Sequence, residues 1–299
     1  MIESRRLSAM GGRAHLVVVG TTQGLLDELA AELDRLEHLW SRFLPGSELS
    51  RLNAADGAPV HVAVETVELI EGMLAGYRET AGAYNPTMLP ALVASGYADS
   101  VDDPSRQTVL PPSAVDGGNL DAIEIRGRTV RLPPGMTLDS GGIGKGYAAD
   151  LLVARARERG AAGVMVELGG DLVVSGESPV AGGWSIGVEH PDDRSQHLDV
   201  IRLDAGAVAT SGTRQRLWSV DGEERHHLLD PRTLLPARTG LHSATVIAGT
   251  GARAEVLTKA AFIPPPEGFL DWVPTRNAAG LVITIENELR TSSNWEDFR

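Results

Sequence analysis

The 299-residue chain contains no cysteine. That excludes a disulfide, a thiolate nucleophile, a Cys–zinc centre and a lipid-modified N-terminal cysteine. It is short of positive charge: 27 Lys and Arg face 40 Asp and Glu, a formal net charge of −13. A nucleic-acid binder needs a basic stripe to neutralise phosphates, so no nucleic-acid partner is expected. No apolar run approaches the roughly 18 residues of a membrane span. Met1-Ile-Glu-Ser-Arg-Arg-Leu-Ser carries charge but no apolar segment behind it, unlike a signal peptide. These absences lead to the expectation of a cytoplasmic, globular protein.

What is present fits that expectation. Apolar residues make up 42%, too many for a disordered chain. A chain of this length can bury a large core. The 34 glycines exceed the usual share of about 7%, which asks where backbone must be approached closely. No internal repeat and no long linker stand out. A single domain over residues 1–299 is expected.

His15-Leu-Val-Val-Val19 reads as a buried strand ended by Gly20. Leu25, Leu29, Leu33, Leu36 and Trp40 then fall at helical spacing, with charges on the opposite face and Pro45-Gly46 as terminator. A second helix is expected near Val64–Thr80, with Val67, Ile70, Leu74 and Tyr77 inward. Residues 99–119 read as loop. Ala122–Ile125 and Thr129–Leu132 read as a hairpin. Helices are expected at Tyr147–Arg159 and Ala252–Phe262, the second stopped by Pro264-Pro265-Pro266. Further strands are expected at 164–168, 184–188, 207–209 and 243–248, with a closing hairpin at 281–291. The order fits an α+β fold with a largely antiparallel sheet and flanking helices.

Four segments could carry chemistry. Gly141, Gly142, Gly144 and Gly146 precede a helix, with Lys145 among them. Free N–H groups at a helix start bind anions, so this is an anion-binding turn or a purely structural one. A P-loop is excluded, because Lys145 is followed by Gly146 rather than Ser or Thr. A dinucleotide fingerprint is a weaker match, since the preceding segment is a poor strand. Leu168-Gly-Gly-Asp171 leaves a strand and could be only a turn capped by Asp171. His226 and His227 are adjacent, so on an extended chain at most one faces a given site. Glu255, Thr258 and Lys259 share a helical face. Glu255 and Lys259 form either a solvated i,i+4 pair or a carboxylate aimed at a metal or phosphate.

Taken in order, these segments form a series. It runs through Ser41-Arg-Phe43, Ser47-Glu-Leu-Ser-Arg-Leu-Asn53, Tyr84-Asn-Pro-Thr87, Leu138-Asp-x-Gly-Gly-Ile-x-Lys-Gly-Tyr-Ala-x-Asp150 and Leu168-Gly-Gly-Asp171. It continues through Ala207-Val-Ala-Thr-Ser-Gly212, His227-x-x-Asp-Pro-Arg-Thr233 and Thr245-Val-Ile-Ala248. The series resembles the FAD:protein FMN transferases, the ApbE family, from Met10-Gly11 to Phe262.

The resemblance implies an α+β fold with FAD in a cleft. It implies Mg²⁺-assisted transfer of FMN from FAD to a threonine of an acceptor flavoprotein, with release of AMP. The acceptor segment would read Asp-x-x-(Ser/Thr)-(Gly/Ala)-x-Thr. By the same resemblance Met10, Phe43, Gly141, Tyr147 and Leu229 contact FAD, and Gly96-Tyr97 line the adenine pocket. Gly144 offers a carbonyl to the metal, and Glu255 and Lys259 stand at its Asp and Thr ligand positions.

Pyrophosphate cleavage needs charge neutralisation and a proton acceptor. The helix start, Lys145 and a Mg²⁺ would supply the first, and His227 the second, with Asp171 in reserve. Lys259 departs from the family pattern, because a protonated amine cannot ligate Mg²⁺. Three outcomes stay open: Lys259 replaces part of the metal's charge, Thr258 takes over as ligand, or FAD is bound without transfer. The alternative activity is that of an FAD carrier or an FAD pyrophosphatase. Asn85 and Leu234 are lesser departures, in loops.

Overall fold

The structure is a computed structural model. It describes residues 1–299 except 21, 22, 102, 192, 194, 195, 215, 221 and 265–267. Pro265 and Pro266, expected to stop a helix, lie outside the described residues.

An eight-stranded antiparallel sheet forms the frame. Its strands are β1 (Ile2–Ala9), β2 (Gly12–Val19), β3 (Gly163–Leu168), β4 (Asp171–Gly176), β5 (Ala205–Gly212), β6 (Leu241–Ala248), β7 (Ala279–Thr284) and β8 (Leu289–Thr291). Their spatial order is their chain order, so the sheet is a meander whose long connections carry everything else. The β2–β3 connection holds α1 (Leu25–Trp40), α2 (Glu48–Ala54), α3 (Val64–Glu79), α4 (Leu89–Ala94) and α5 (Gly144–Glu158). The β6–β7 connection holds α6 (Gly251–Phe262) and α7 (Phe269–Trp272).

Side chains alternate across a strand, so both sheet faces are buried. Leu16 and Val18 join the large core under the helices, while Val17 joins a second core. The hairpin of strands Trp184–Glu189 and His197–Leu203 covers that second face with Trp184, Ile186 and Ile201. The five α1 residues expected inward are all buried. At roughly 1.5–3 kcal/mol each they hold α1 against the sheet and α5.

Several boundaries differ from expectation. Helix α1 ends at Trp40, before Pro45-Gly46, because Ser41 turns extended. The inward face of α3 is Thr66, Val67, Leu69, Ile70, Met73 and Gly76, whereas Leu74 and Tyr77 are half-buried. Strand β1 has no counterpart in the expected elements. It is an edge strand with mostly exposed side chains, so it lacks a clear apolar alternation. Helix α5 starts at Gly144, three residues before Tyr147, which places Lys145 and Gly146 inside its first turn. No strand runs directly into its glycine turn, so the dinucleotide-fingerprint reading fails.

Helices α5 and α6 cap each other. The Asp150 carboxylate accepts from the Gly251 and Ala252 amides at 2.7 and 2.9 Å. The Glu255 carboxylate accepts from the Gly146 amide at 2.9 Å. Each acid thus sits at the positive end of the other's helix. The helices approach closest at a pair of glycines: a Cβ on Gly146 would lie 2.2 Å from the Gly251 carbonyl oxygen.

Candidate active site

The first turn of α5, the middle of α6, the start of β4 and the end of β5 converge at one end of the sheet. Register sets this. Leu168 pairs with Asp171 across the tight β3–β4 turn, and Thr210 pairs with Thr245. Gly169 and Gly170 take φ of 64° and 99°, a conformation that favours glycine. The segment entering α5 is pinned from outside: Asn53 accepts from the Leu138 amide and donates to its carbonyl, at 2.8 and 2.9 Å. The convergence lines a cleft of about 1170 Å³. That exceeds the volume a drug-sized ligand needs and suits a dinucleotide.

The chain has only two lysines, and both line this cleft. Lys145 Nζ donates to Asp171 Oδ2 at 2.6 Å and to Glu255 Oε1 at 2.5 Å. The remaining carboxylate oxygens are also engaged. Asp171 Oδ1 accepts from the Thr210 amide at 2.9 Å, and Glu255 Oε2 takes the Gly146 amide. Burial opposes the Lys145 charge, but the two carboxylates overcome it and hold the amine above its ordinary range.

Lys259 is held differently. Its Nζ donates to Ser211 Oγ at 2.9 Å, the Glu255 carbonyl at 3.0 Å and Thr258 Oγ1 at 3.1 Å. No carboxylate lies within ion-pair distance among the described residues. Burial depresses its pKa to about 8, with Lys145 also lowering it and Glu255 and Asp171 pulling upward. Gly142 borders the stem and makes room for Tyr84: a Cβ there would lie 3.5 Å from Lys259 Cε, an ordinary contact, but 2.8 Å from the Tyr84 ring. The solvated Glu255–Lys259 pair offered as one reading is therefore absent. Glu255 is buried and pairs with Lys145, and Lys259 meets its main chain.

The β5–β6 connection roofs the cleft. It carries the hairpin of Leu217–Val220 and Glu223–His226, then the short pair Leu229–Asp230 and Leu235–Pro236. Arg216 Nη2 donates to the Gly11 carbonyl at 2.7 Å, tying the roof to the β1–β2 turn. Trp218 Nε1 donates to the Ser95 carbonyl at 2.7 Å, and its ring stacks on Tyr97 at 5.4 Å. His227 lines the cleft, and its buried Nδ1 has no partner within the protein. Burial, then the charges of Lys259, His226, Arg216 and Lys145, pushes its pKa down to about 3. At neutral pH the imidazole is uncharged.

Arg42 escaped the sequence reading. Its guanidinium lies 4.5 Å from the Phe43 ring centroid and 4.6 Å from that of Tyr97. Asp139 faces it at 3.7 Å. Its Nη1 is buried and unpartnered, as is the Tyr84 hydroxyl. The signal available was Arg42 itself, an arginine inside Ser41-Arg-Phe43.

Met10, Phe43, Tyr97, Gly141, Gly144, Lys145, Asp171, His227, Leu229, Glu255 and Lys259 all line the cleft. Three expected residues do not. The Tyr147 hydroxyl donates to Glu68 at 2.6 Å, with its ring stacked on Trp40 at 5.6 Å. Thr258 is buried, bonded to Ser211 Oγ and the Glu255 carbonyl, each at 2.7 Å. Gly96 lies behind the Tyr97 wall, where a Cβ would come within 2.9 Å of Val220 and 3.0 Å of Trp218. A backbone φ of 103° and this close approach to the roof both favour glycine there.

Residues 10–282 match the family model described as the ApbE family. An FAD:protein FMN transferase of Klebsiella pneumoniae is 28% identical over 274 residues, covering 89% of this chain and 78% of the relative. One from Escherichia coli K12 is 25% identical over 280 residues, covering 88% and 78%. The crystal structure of the ApbE protein from Thermotoga maritima superposes with a TM-score of 0.86 at 27% identity, covering 100% of this chain and 99% of that one. The flavin transferase ApbE of Vibrio cholerae shares the fold, at a TM-score of 0.81 and 24% identity, covering 100% of both chains. Both lysines and the roofing histidine of the cleft lie within the matched span, and the chain belongs to the ApbE family.

Proposed function

We propose that this protein is an FAD:protein FMN transferase, with FAD lying along the cleft. The observation that carries the reading is the placement of charge. A chain of net charge −13 keeps its two lysines in one cavity, beside an uncharged histidine with an unpartnered nitrogen. Such a cavity suits a ligand with a diphosphate at its centre and an acceptor hydroxyl beside it. Phe43 and Tyr97, with the planar Arg42 guanidinium against both rings, supply flat surfaces for a ring system.

The acceptor threonine oxygen attacks the phosphorus that bears the FMN. The new O–P bond forms, the P–O bond to the bridging oxygen breaks, and AMP leaves with that electron pair. The hydroxyl proton passes to the His227 imidazole, which is uncharged at pH 7; the negative charge of a bound diphosphate offsets the neighbouring cations that otherwise oppose its protonation. Lys145 has one N–H left after its two carboxylates and directs it at a non-bridging oxygen. Asp171 fixes Lys145 in place and is the reserve proton acceptor.

The residues at the expected cation positions do not fit Mg²⁺. Mg²⁺ requires a near-octahedral set of oxygens. Each Glu255 oxygen already accepts a hydrogen bond, and position 259 presents an ammonium with no lone pair. Thr258 lies outside the cleft lining. No step is assigned to a metal.

The test is incubation with FAD and an acceptor carrying Asp-x-x-(Ser/Thr)-(Gly/Ala)-x-Thr. An acid-stable fluorescent adduct on the acceptor is expected, together with AMP. His227→Ala should abolish transfer and leave FAD binding largely intact. FMN and AMP formed equally fast without acceptor would make the protein an FAD pyrophosphatase instead.

A further inference from the structure

We propose that Lys259 is a built-in cation. Its ammonium occupies the place beside the diphosphate that a divalent ion would need, so this protein engages FAD without one. The proposal rests on reading the cleft as an FAD site.

The first argument is how Lys259 is seated. Its Nζ is surrounded by Ser211 Oγ, the Glu255 carbonyl and Thr258 Oγ1 at 2.9 to 3.1 Å. Three neutral oxygens from two elements form a cage of the kind that holds a small cation. Here the cation is tethered to α6, its stem packed against Gly142. Neutral oxygens fix the position without cancelling the charge. Lys145 is the contrast: two carboxylates touch it, and its charge is largely spent inside the protein.

The second argument is charge balance. Lys145, Lys259, Asp171 and Glu255 form one cluster, with two positive and two negative charges. Without Lys259 the balance is one negative charge in excess, which repels a diphosphate. A threonine at 259 would therefore create a need for an added cation, and the lysine removes that need. An ion added next to this ammonium would meet like charge and find no free carboxylate oxygen. Among the described residues no three His, Asp or Glu side chains converge to hold one.

The experiment measures FAD affinity of the whole protein by flavin fluorescence, in excess EDTA and again in millimolar Mg²⁺. Mn²⁺ binding to the ligand-free protein is read by electron paramagnetic resonance. The wild type should bind FAD with a dissociation constant that agrees within about twofold between buffers, and should bind no stoichiometric Mn²⁺. Lys259→Thr should lose about tenfold or more in EDTA and recover in Mg²⁺. Lys259→Arg, which keeps the charge, should stay metal-independent. The wild-type comparison decides the matter even if a variant fails to fold. FAD binding that strengthens about tenfold on adding Mg²⁺, or a stoichiometric Mn²⁺ site in the wild type, overturns the proposal alone. No FAD binding in either buffer overturns the FAD reading and the proposal with it.

Discussion

Lys145→Met is the sharpest test of how the cleft is held together. Methionine keeps most of the side-chain length and removes the ammonium. Asp171 and Glu255, with side chains only 8% and 3% exposed, then face each other with no cation between them. Removing one partner of a buried ion pair costs about 3–5 kcal/mol. The low end applies here, because each carboxylate keeps its amide partner, Thr210 or Gly146. We therefore expect a loss of about 3 kcal/mol at neutral pH. At about 2 °C per kcal/mol in a chain this long, the melting midpoint falls by about 6 °C. Urea unfolding should show a lower midpoint with an unchanged slope. The loss should shrink in acid, where protonation removes the unpaired charges, and adding Glu255→Gln should restore part of it. A loss under about 1 kcal/mol, the range of an exposed pair, would refute the reasoning. So would an equal loss in acid and at neutral pH.

Other consequences are as direct. Gly146→Ala drives a methyl into the Gly251 carbonyl, which is backbone and cannot step aside, so a loss of at least about 3 kcal/mol is expected in thermal unfolding. Asp150→Ala uncaps α6 and should cost about 1–2 kcal/mol, read the same way. His227 takes a proton near 6.5 when unfolded but only near 3 when folded. Its contribution to stability is therefore complete above pH 6.5 and is lost as the pH falls toward 3. His227→Asn should flatten the acid side of a plot of urea midpoint against pH, and parallel curves for variant and wild type would contradict the burial argument.

Legibility in the sequence followed the strength of local pattern. Helix α1 was readable because five large apolar residues repeat at helical spacing and all turn inward. Strand β1 was not, because it is an edge strand whose mostly exposed side chains show no clean alternation. Long-range contacts hid more. The spacing of Glu255 and Lys259 suggested a pair, yet a lysine 110 positions away reaches the carboxylate first. The glycine turn looked free to bind an anion, and the acid that takes its amide comes from another helix. Most of the site residues named from order along the chain line the cleft, but Tyr147, Thr258 and Gly96 show that a motif position need not face the cavity. Arg42 gained its role only when the fold laid Tyr97 over it.

The confinement of both lysines to one cavity reaches into the protein's covalent chemistry. An amine-reactive ester added to the folded protein finds, besides the amino terminus, only Lys145 and Lys259. Lys259, whose amine loses its proton more readily, is the faster nucleophile of the two. Label found at these two lysines thus counts empty clefts, and their protection counts filled ones. The same economy leaves the outer surface without a lysine for acetylation or ubiquitin to mark. Any modification of a lysine in this chain is a modification of the cleft.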